Sequence, residues 1–205
     1  MLIYSSKSVP TYFSKLPAIT FWLMTFRNGS KSLVSNRNMI TKIYFPRVVL
    51  PMSSVLSSVV DFFVALPILI GVMIYYGYTP NGYVLLIPFY LLLTVVTSFG
   101  VSLWFSALDV LYRDIGYIIP FISQLWMYLT PIAYGSELIR APRWRMVYNL
   151  NPMVGVVNGF RRALLGTYTQ LPWQSLLFSS LISLAILITG LVYFRRMERD
   201  FADVI

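Results

Sequence analysis

Four long stretches of this chain contain almost no charged residue, and they constrain its fold more than any other feature. Residues 83–108, 115–134 and 175–194 contain no Lys, Arg, Asp or Glu, and residues 48–76 contain one acid, Asp61. About 20 helical residues cross the ~30 Å hydrocarbon core of a bilayer. Because all four stretches are continuously apolar rather than alternating, they predict membrane-spanning helices and not barrel strands. The predicted fold class is an all-α integral membrane protein with four complete spans.

Composition agrees with this fold and excludes several classes of function. The chain is 58% hydrophobic and 11% charged, whereas a typical soluble domain is about 25% charged. It contains no Cys and no His, which removes the usual ligands of zinc, haem and iron–sulfur clusters, the imidazole base and the thiolate nucleophile. No phosphate-binding glycine loop and no pair of carboxylates at a usable spacing appears. The sequence therefore predicts no catalytic, cofactor-binding or metal site.

The positions of Lys and Arg indicate how the spans are oriented, because these residues concentrate near span ends on the cytoplasmic side. If the four spans are consecutive, residues 27–47, Arg113 and residues 195–199 share one side and carry nine Lys or Arg residues. The other side has the uncharged loop 77–82 and the connection 135–174, with five. We therefore expect a cytoplasmic C-terminus. The net charge of +9 is assigned to membrane-facing and cytosol-facing residues and not to nucleic-acid binding.

A short amphipathic segment, residues 30–46, precedes the first complete span. Upstream of it, residues 16–26 are apolar but have about half the length of a span, so they are predicted as a partial span. The apolar residues of the segment share one helix face at i, i+1, i+4 and i+5: Met39, Ile40, Ile43 and Tyr44. Asn36 or Asn38 is available as an N-cap, and Pro46 ends the helix. The segment is either a connector on lipid headgroups or a docking element for a soluble partner.

Three acids lie in or beside the spans. Asp61 is the only acid within a span, and because a carboxylate in lipid is costly we expect it to face the bundle interior. It either forms hydrogen bonds with nearby serines or with a neighbouring helix as a packing device, or it belongs to a proton relay, for which the other spans contain no second ionisable group. At the end of the second span, Asp109 and Arg113 form an i, i+4 pair in the favourable order, followed by Asp114. Tyr112 and Arg113 also fit the role of interfacial anchors.

Aromatic residues are concentrated in the third span. Tyr117, Phe121 and Tyr128 fall on one helix face at i, i+4 and i+11, and Trp126 lies close to them in sequence. These residues form either an aromatic belt with ordinary packing or the lining of a cavity. In the second case, flat rings with phenol and indole donors suit the C–H faces and hydroxyl rims of sugars. The spacing alone does not decide between the two.

The connection 135–174 contains a second helical signal. Asn151 can cap a helix that begins at Pro152, and Arg161 and Arg162 fall in its last turn. Phe160 belongs to its apolar stripe. With an interfacial segment upstream, this pattern predicts a re-entrant or surface-lying lid on the outer face, the alternative being an ordinary interfacial hairpin.

The order of these features resembles the membrane subunit of a type-2 ABC exporter, of the branch that moves polysaccharides such as O-antigen, capsule or teichoic acid. No single motif is specific, but their order and spacing cover almost the whole chain from about Leu16. The motifs are NRNMITKIYFPR at 36–47, VVDF at 59–62, LWFSAL at 103–108, YRD at 112–114, PF at 120–121, QLW at 124–126, TPI at 130–132, NLNPM at 149–153, GFR at 159–161 and FRRMER at 194–199.

The resemblance implies a role for each feature. The coupling helix, which would fit a groove of a cytoplasmic ATPase subunit, corresponds to Asn38, Met39, Ile40, Lys42, Ile43, Tyr44 and Phe45. The external gate corresponds to Asn151, Pro152, Phe160 and Arg161, and the polymer path to Tyr117, Phe121, Trp126 and Tyr128.

The resemblance also implies an assembly. Two copies, each with an ATPase subunit, would form one channel for a lipid-linked polysaccharide in a bacterial cytoplasmic membrane, and this chain would be non-catalytic. The alternatives are a type-2 exporter of a drug or lipid, and a membrane-embedded transferase that uses Asp61, Asp109 or Asp114.

One feature departs from the family pattern. Members usually have six spans and an amphipathic helix before the first, whereas Met1–Lys15 matches only loosely and shows no signal-peptide pattern. The resemblance therefore implies an N-terminal truncation or a misassigned start. We expect a chain extended upstream to regain the missing helices.

Overall fold

The computed structural model describes residues 16–40, 42, 45–77, 82–112, 114–130, 150–165, 173–198 and 201. All regular structure in these residues is helical, which confirms the predicted all-α fold class. The helices are α1 (Leu16–Ser35), α2 (Arg37–Ile40), α3 (Val49–Tyr75), a 3-10 helix (Gly82–Leu86), α4 (Ile87–Leu111), α5 (Ile115–Leu129), α6 (Pro152–Leu165) and α7 (Trp173–Met197).

Three of the described helices are long and apolar enough to cross a membrane: Val49–Tyr75, Gly82–Leu111 and Ser175–Met197. They correspond to three of the four predicted spans. The predicted span 115–134 is shorter than expected, because α5 has 15 residues and extends about 22 Å at 1.5 Å per residue. Thr130 has an extended backbone, as expected for a residue that precedes a proline. Residues 131–134 lie outside the described part of the chain.

Helix α1, which contains the predicted partial span 16–26, continues without interruption to Ser35. The charged side chains Arg27 and Lys31 lie on the exposed face of the helix, while Phe26 and Leu33 are buried. The charges therefore do not end the helix. The described part of the predicted segment 30–46 is accordingly divided between the end of α1, the single turn α2 and residues 42, 45 and 46, which are not helical.

The predicted N-cap of the coupling helix is also different in the structure. The Nδ2 atom of Asn36 donates a hydrogen bond to the carbonyl oxygen of Ser32 at 2.8 Å. Asn36 therefore satisfies a terminal carbonyl of α1, and the four-residue α2 contains no buried residue.

The bundle is built around α4, which packs against both α1 and α7. Small residues allow the backbones to approach closely. A Cβ atom at Gly100 would lie 2.8 Å from the backbone of Leu187, and one at Gly190 would lie 2.5 Å from the carbonyl oxygen of Gly100. The hydroxyls of Thr97 and Ser183 are hydrogen-bonded to each other at 2.7 Å. We call this contact between α4 and α7 the glycine seam.

Two helices cover α1. Phe21 meets Phe62 of α3 edge to face, with ring centroids 6.0 Å apart, and Trp22 packs against Trp126 of α5 at 5.1 Å. The bundle thus has two ends. The α2 end carries α2 and the last turns of α4 and α7, and the α6 end carries α6, the 3-10 helix and the first turns of α4 and α7.

Helix α6 is inserted into the bundle. It packs against α7, α4, α1 and the 3-10 helix, and both Arg162 and Phe160 on it are buried. A Cβ atom at Gly159 would collide with the ring of Tyr90, so the two helices are in direct contact. This burial places α6 against the other helices of the bundle, and the lid on the outer face stays a prediction. The predicted upstream companion lies outside the described residues.

Candidate functional site

A buried apolar cluster fixes the α2 end of the bundle. It contains Leu33 of α1, Leu50 of α3, Leu103 of α4 and Phe194 of α7, together with Phe201. Ile40, Phe45 and Val48 are partly buried against it. The segment that follows α1 is therefore held on the bundle by the side chains at its two ends.

Arg47 ties the end of this segment to the C-terminal end of α7. Its backbone N–H donates to Oε1 of Glu198 at 3.4 Å, and its Nη1 donates to the carbonyl oxygen of Glu198 at 2.6 Å. The guanidinium also lies 5.8 Å from the centroid of the Phe201 ring. This pair could not be predicted from the sequence, because the partners are 151 residues apart and no local spacing relates them.

The predicted coupling residues divide into two groups. Asn38, Met39 and Lys42 are exposed, whereas Ile40 and Phe45 face the cluster at the α2 end. Ile43 and Tyr44 lie outside the described residues. The exposed group, together with Arg37, forms a basic surface with one apolar side chain, which we call the α2 surface.

Asp109 is buried where α4 turns into α5. Only 4% of its surface is exposed, and a Cβ atom at Gly116 would lie 2.8 Å from its Oδ1. Among the described residues, Lys31 of α1 is close enough for its positive charge to act on this carboxylate. Tyr112 and Asp114 are exposed. Arg113 lies outside the described residues, so the Asp109–Arg113 pair stays a prediction.

Asp61 lies on the outer face of α3, contrary to the expectation that it faces the interior. Its neighbour Phe62 is buried, whereas Asp61 and Ser57, one turn earlier, are exposed. Ser58 is the inward-facing serine, and it donates to the carbonyl oxygen of Ser54 at 3.1 Å. Within the described residues Asp61 has no hydrogen-bond partner, because the buried register of α3 passes through Phe62.

The four residues of the predicted polymer path do not share one surface. Tyr117, Phe121 and Tyr128 are 85%, 62% and 73% exposed and form one face of α5. Trp126 points the other way, towards Trp22 of α1. The two directions follow from helix geometry, since nine residues at 100° per residue place Trp126 about 180° from Tyr117. The structure therefore retains three of the four residues as an exposed aromatic face.

The start of α6 is capped as predicted. The Oδ1 of Asn151 accepts a hydrogen bond from the backbone N–H of Met153 at 3.0 Å, and Pro152 is the first helical residue. The Nδ2 of Asn151 also donates to Oγ1 of Thr130 at 3.3 Å, so the same side chain joins α6 to the end of α5.

The buried side of α6 is aromatic and basic. Phe160 packs between Phe62 and Tyr90, with ring centroids 5.8 Å from each. Arg161 is half-buried, and Arg162, which the sequence placed only in the last turn, is 6% exposed. Its guanidinium lies 4.5 Å from the centroid of the Tyr83 ring. Burial of this arginine was not predictable from an amphipathic pattern, which assigns a basic residue to the solvent face.

Comparison with known proteins identifies the family of this chain. Residues 15–165 match the family model described as ABC-2 type transporter. An O-antigen export system permease protein RfbA of Klebsiella pneumoniae is 28% identical over 179 residues, which are 87% of this chain and 68% of that protein. The protein of the same name from Myxococcus xanthus is 27% identical over 186 residues, 90% of this chain and 71% of that one. The resemblance to the type-2 family is thereby confirmed: the chain belongs to the ABC-2 type transporter family.

Proposed function

We propose that this chain is the permease subunit of an ABC exporter that moves a lipid-linked polysaccharide out across a bacterial cytoplasmic membrane. Family membership supports a permease, and the relatives are named as O-antigen export permeases. ATP hydrolysis takes place in a separate ATPase subunit, so this chain is non-catalytic. Neither the drug or lipid exporter nor the membrane-embedded transferase is favoured. The acids considered for the transferase lie on different surfaces, since Asp61 is exposed on α3 and Asp109 is buried beside α5.

The main support for the proposal is that the segment around α2 exposes some side chains while others attach it to the bundle. A coupling element must expose side chains to its partner and be fixed to the part that moves. Met39 and Lys42 are exposed, while Ile40, Phe45 and Arg47 attach the segment to the bundle. A force applied to the α2 surface by an ATPase subunit therefore reaches α3 and α7 directly.

The exposed face of α5 is the proposed polymer path. Tyr117, Phe121 and Tyr128 present flat rings away from the bundle, and rings of this kind can stack on sugar C–H faces while phenol groups reach the hydroxyl rim. In a homodimer, two such faces would line one channel. Helix α6, joined to the end of α5 through Asn151 and Thr130, is the proposed external gate, with Phe160 and Arg161 as its gate residues.

The proposed roles of the two ends imply an orientation of the chain in the membrane. The α2 end, with the C-terminus of α7, would face the cytoplasm, and the α6 end would face outwards. Arg195 and Arg196 in the last turn of α7 support this orientation, because basic residues at span ends favour the cytoplasmic side.

Co-purification with the neighbouring ATPase subunit tests the proposal. Membranes containing both proteins are solubilised, the ATPase is captured by an affinity tag, and the amount of bound permease and the polymer-stimulated hydrolysis are measured. Met39→Asp with Lys42→Glu should reduce both, because the double change places negative charge on the basic α2 surface.

Arg195→Glu is the matched control, since Arg195 is exposed on α7 outside the α2 surface. Equal capture of the double variant and the wild type, with equal stimulation, would show that the α2 surface does not couple the two subunits.

A further inference from the structure

The guanidinium of Arg162 is buried without an anionic partner among the described residues. Its surface is 6% exposed, and neither Nε nor Nη1 has a hydrogen-bond acceptor. The Cζ atom of Arg162 lies 4.5 Å from the centroid of the Tyr83 ring, and its charge also acts on the hydroxyl group of buried Tyr90. A ring face attracts a cation but provides no hydrogen-bond acceptor of the strength of an oxyanion.

This arrangement is electrostatically incomplete. Arginine keeps its positive charge in proteins, and a buried charge is retained when it is paired and hydrogen-bonded. Of the described acids, Asp109, Asp114 and Glu198 belong to the α2 end, at the far side of the bundle, and Asp61 is exposed on α3. The region therefore attracts an anion that none of these four carboxylates supplies.

The position of Tyr83 indicates where that anion comes from. Tyr83 lies in the 3-10 helix that begins the apolar stretch Gly82–Leu111, so it marks the level at which a membrane-spanning helix meets the lipid–water boundary. Lipid phosphates lie at this level. Along the same stretch, Leu85, Phe89 and Leu92 are exposed at i, i+4 and i+7, which provides an apolar surface for an acyl or prenyl chain.

We propose that Arg162 and Tyr83 form a binding site for the phosphate group of a membrane lipid. The guanidinium nitrogens donate to the phosphate oxygens, the Tyr83 ring holds the guanidinium in place, and the lipid chain lies along Leu85 and Phe89. The phosphate belongs either to a phospholipid headgroup or to a polyprenyl phosphate carrier. The first source is independent of the proposed export function, and the second depends on it.

Lipid binding to the purified full chain tests this site without requiring transport. After delipidation in detergent, phosphatidylglycerol is titrated and bound lipid is counted by native mass spectrometry. Arg162→Gln should weaken binding about tenfold, as expected for lost charge-assisted hydrogen bonds. Arg162→Lys should be intermediate, Tyr83→Phe unchanged and Tyr83→Leu weaker. Circular dichroism melting shows whether each variant is folded. If Arg162→Gln fails to fold, the difference in lipid binding between Tyr83→Leu and Tyr83→Phe tests the same site.

Arg195→Gln is the matched control, since it removes an exposed arginine at the α2 end. The proposal would be overturned if Arg162→Gln bound phosphatidylglycerol and a polyprenyl phosphate as tightly as the wild type binds them. Equal binding of inorganic phosphate and lipid would overturn the assignment to a lipid. If Glu137→Gln, which changes an acid outside the described residues, increases lipid binding tenfold, a carboxylate already pairs with Arg162 and the proposal is wrong.

The two lipids distinguish the sources. Arg162-dependent binding of phosphatidylglycerol alone assigns the site to a headgroup, and preference for the polyprenyl phosphate assigns it to the carrier. Lipid binding is measured on the purified chain, without the ATPase subunit. A negative result for the lipid site is therefore distinct from a negative result for the export proposal, which is tested by capture with the ATPase subunit.

Discussion

The side chain of Arg47 donates a hydrogen bond from Nη1 to the carbonyl oxygen of Glu198 at 2.6 Å, so the residue that precedes α3 is tied to the residue that follows α7. We expect Arg47→Gln to lower the free energy of unfolding by about 1–2 kcal/mol, because a charge-assisted hydrogen bond and a cation–π contact are lost. Under the proposed function it also lowers polymer-stimulated ATP hydrolysis while the ATPase subunit is still captured.

Arg195→Gln is the control for this change, because Arg195 is exposed on α7 and lies outside both the α2 surface and the contact between Arg47 and Glu198. Normal stimulation with Arg47→Gln would show that the link to α7 does not transmit coupling.

The glycine seam predicts a sharp contrast between two glycines. Gly190→Ala should lower the thermal midpoint in detergent, with a loss of about 1–3 kcal/mol, since the new Cβ would lie 2.5 Å from the carbonyl oxygen of Gly100 and must push the helices apart. Gly71→Ala in α3 is the matched control, because no atom lies within 4 Å of its Cβ position. That change should be neutral or stabilise the helix by up to about 1 kcal/mol. Equal midpoints for the two variants would contradict the close packing.

The two sides of α5 predict opposite effects of aromatic truncation. Trp126→Ala should lower the free energy of unfolding by about 2–3 kcal/mol, because it removes the contact with Trp22. Phe121→Ala, on the 62% exposed side, should change the thermal midpoint little and, under the proposed function, reduce polymer at the cell surface. Thermal melting and surface polymer staining check the pair. Loss of stability in Phe121→Ala with export intact would reverse the assignment of the two faces.

Asn151 both caps α6 and donates a hydrogen bond to Thr130, and two substitutions separate these roles. Asn151→Asp keeps the Oδ1 acceptor for the N–H of Met153 but loses the donor to Thr130. Asn151→Ala loses both, and we expect it to cost about 1 kcal/mol for the cap alone. The melting temperatures should therefore fall in the order wild type, Asn151→Asp, Asn151→Ala. If Asn151→Asp melts below Asn151→Ala, the cap is not the stabilising element.

Because Asp61 is exposed, we expect its replacement by an apolar residue not to destabilise the single subunit. Asp61→Leu should not lower the thermal midpoint in detergent, since the carboxylate has no partner among the described residues. In lipid bilayers it should raise stability, because a carboxylate on a lipid-facing surface is unfavourable. A lower midpoint in bilayers than the wild type would indicate that another protein surface covers this face of α3.

Helix existence and type could be predicted from the sequence where the signal is local. The long apolar stretches predicted α3, α4 and α7, and the Asn151-Pro152 pair predicted the start of α6. The predicted positions of helix ends were less accurate, because a charged residue does not end a helix when its side chain is exposed. Arg27 and Lys31 lie on the exposed side of α1, so the helix passes through both.

The direction in which individual side chains point could not be predicted equally well. Periodicity placed Tyr117, Phe121 and Tyr128 on one helix face, as the structure also does, whereas Trp126, which the resemblance added to them, lies on the opposite side. The contact of Arg47 with Glu198 and the burial of Arg162 depend on tertiary packing between distant segments. No pattern within one element contains that information.

The glycine seam also limits how the molecule can deform. Because the backbones of α4 and α7 are in contact at Gly100 and Gly190, we expect the two helices to move together. Helix α7 has 25 residues and is therefore about 37 Å long. Arg47 is attached at one end of it, and α6 packs at the other. A tilt of about 5° at the α2 end displaces the far end by about 3 Å, roughly half a helical turn, so a small stroke at one surface is enough to shift a helix on the other.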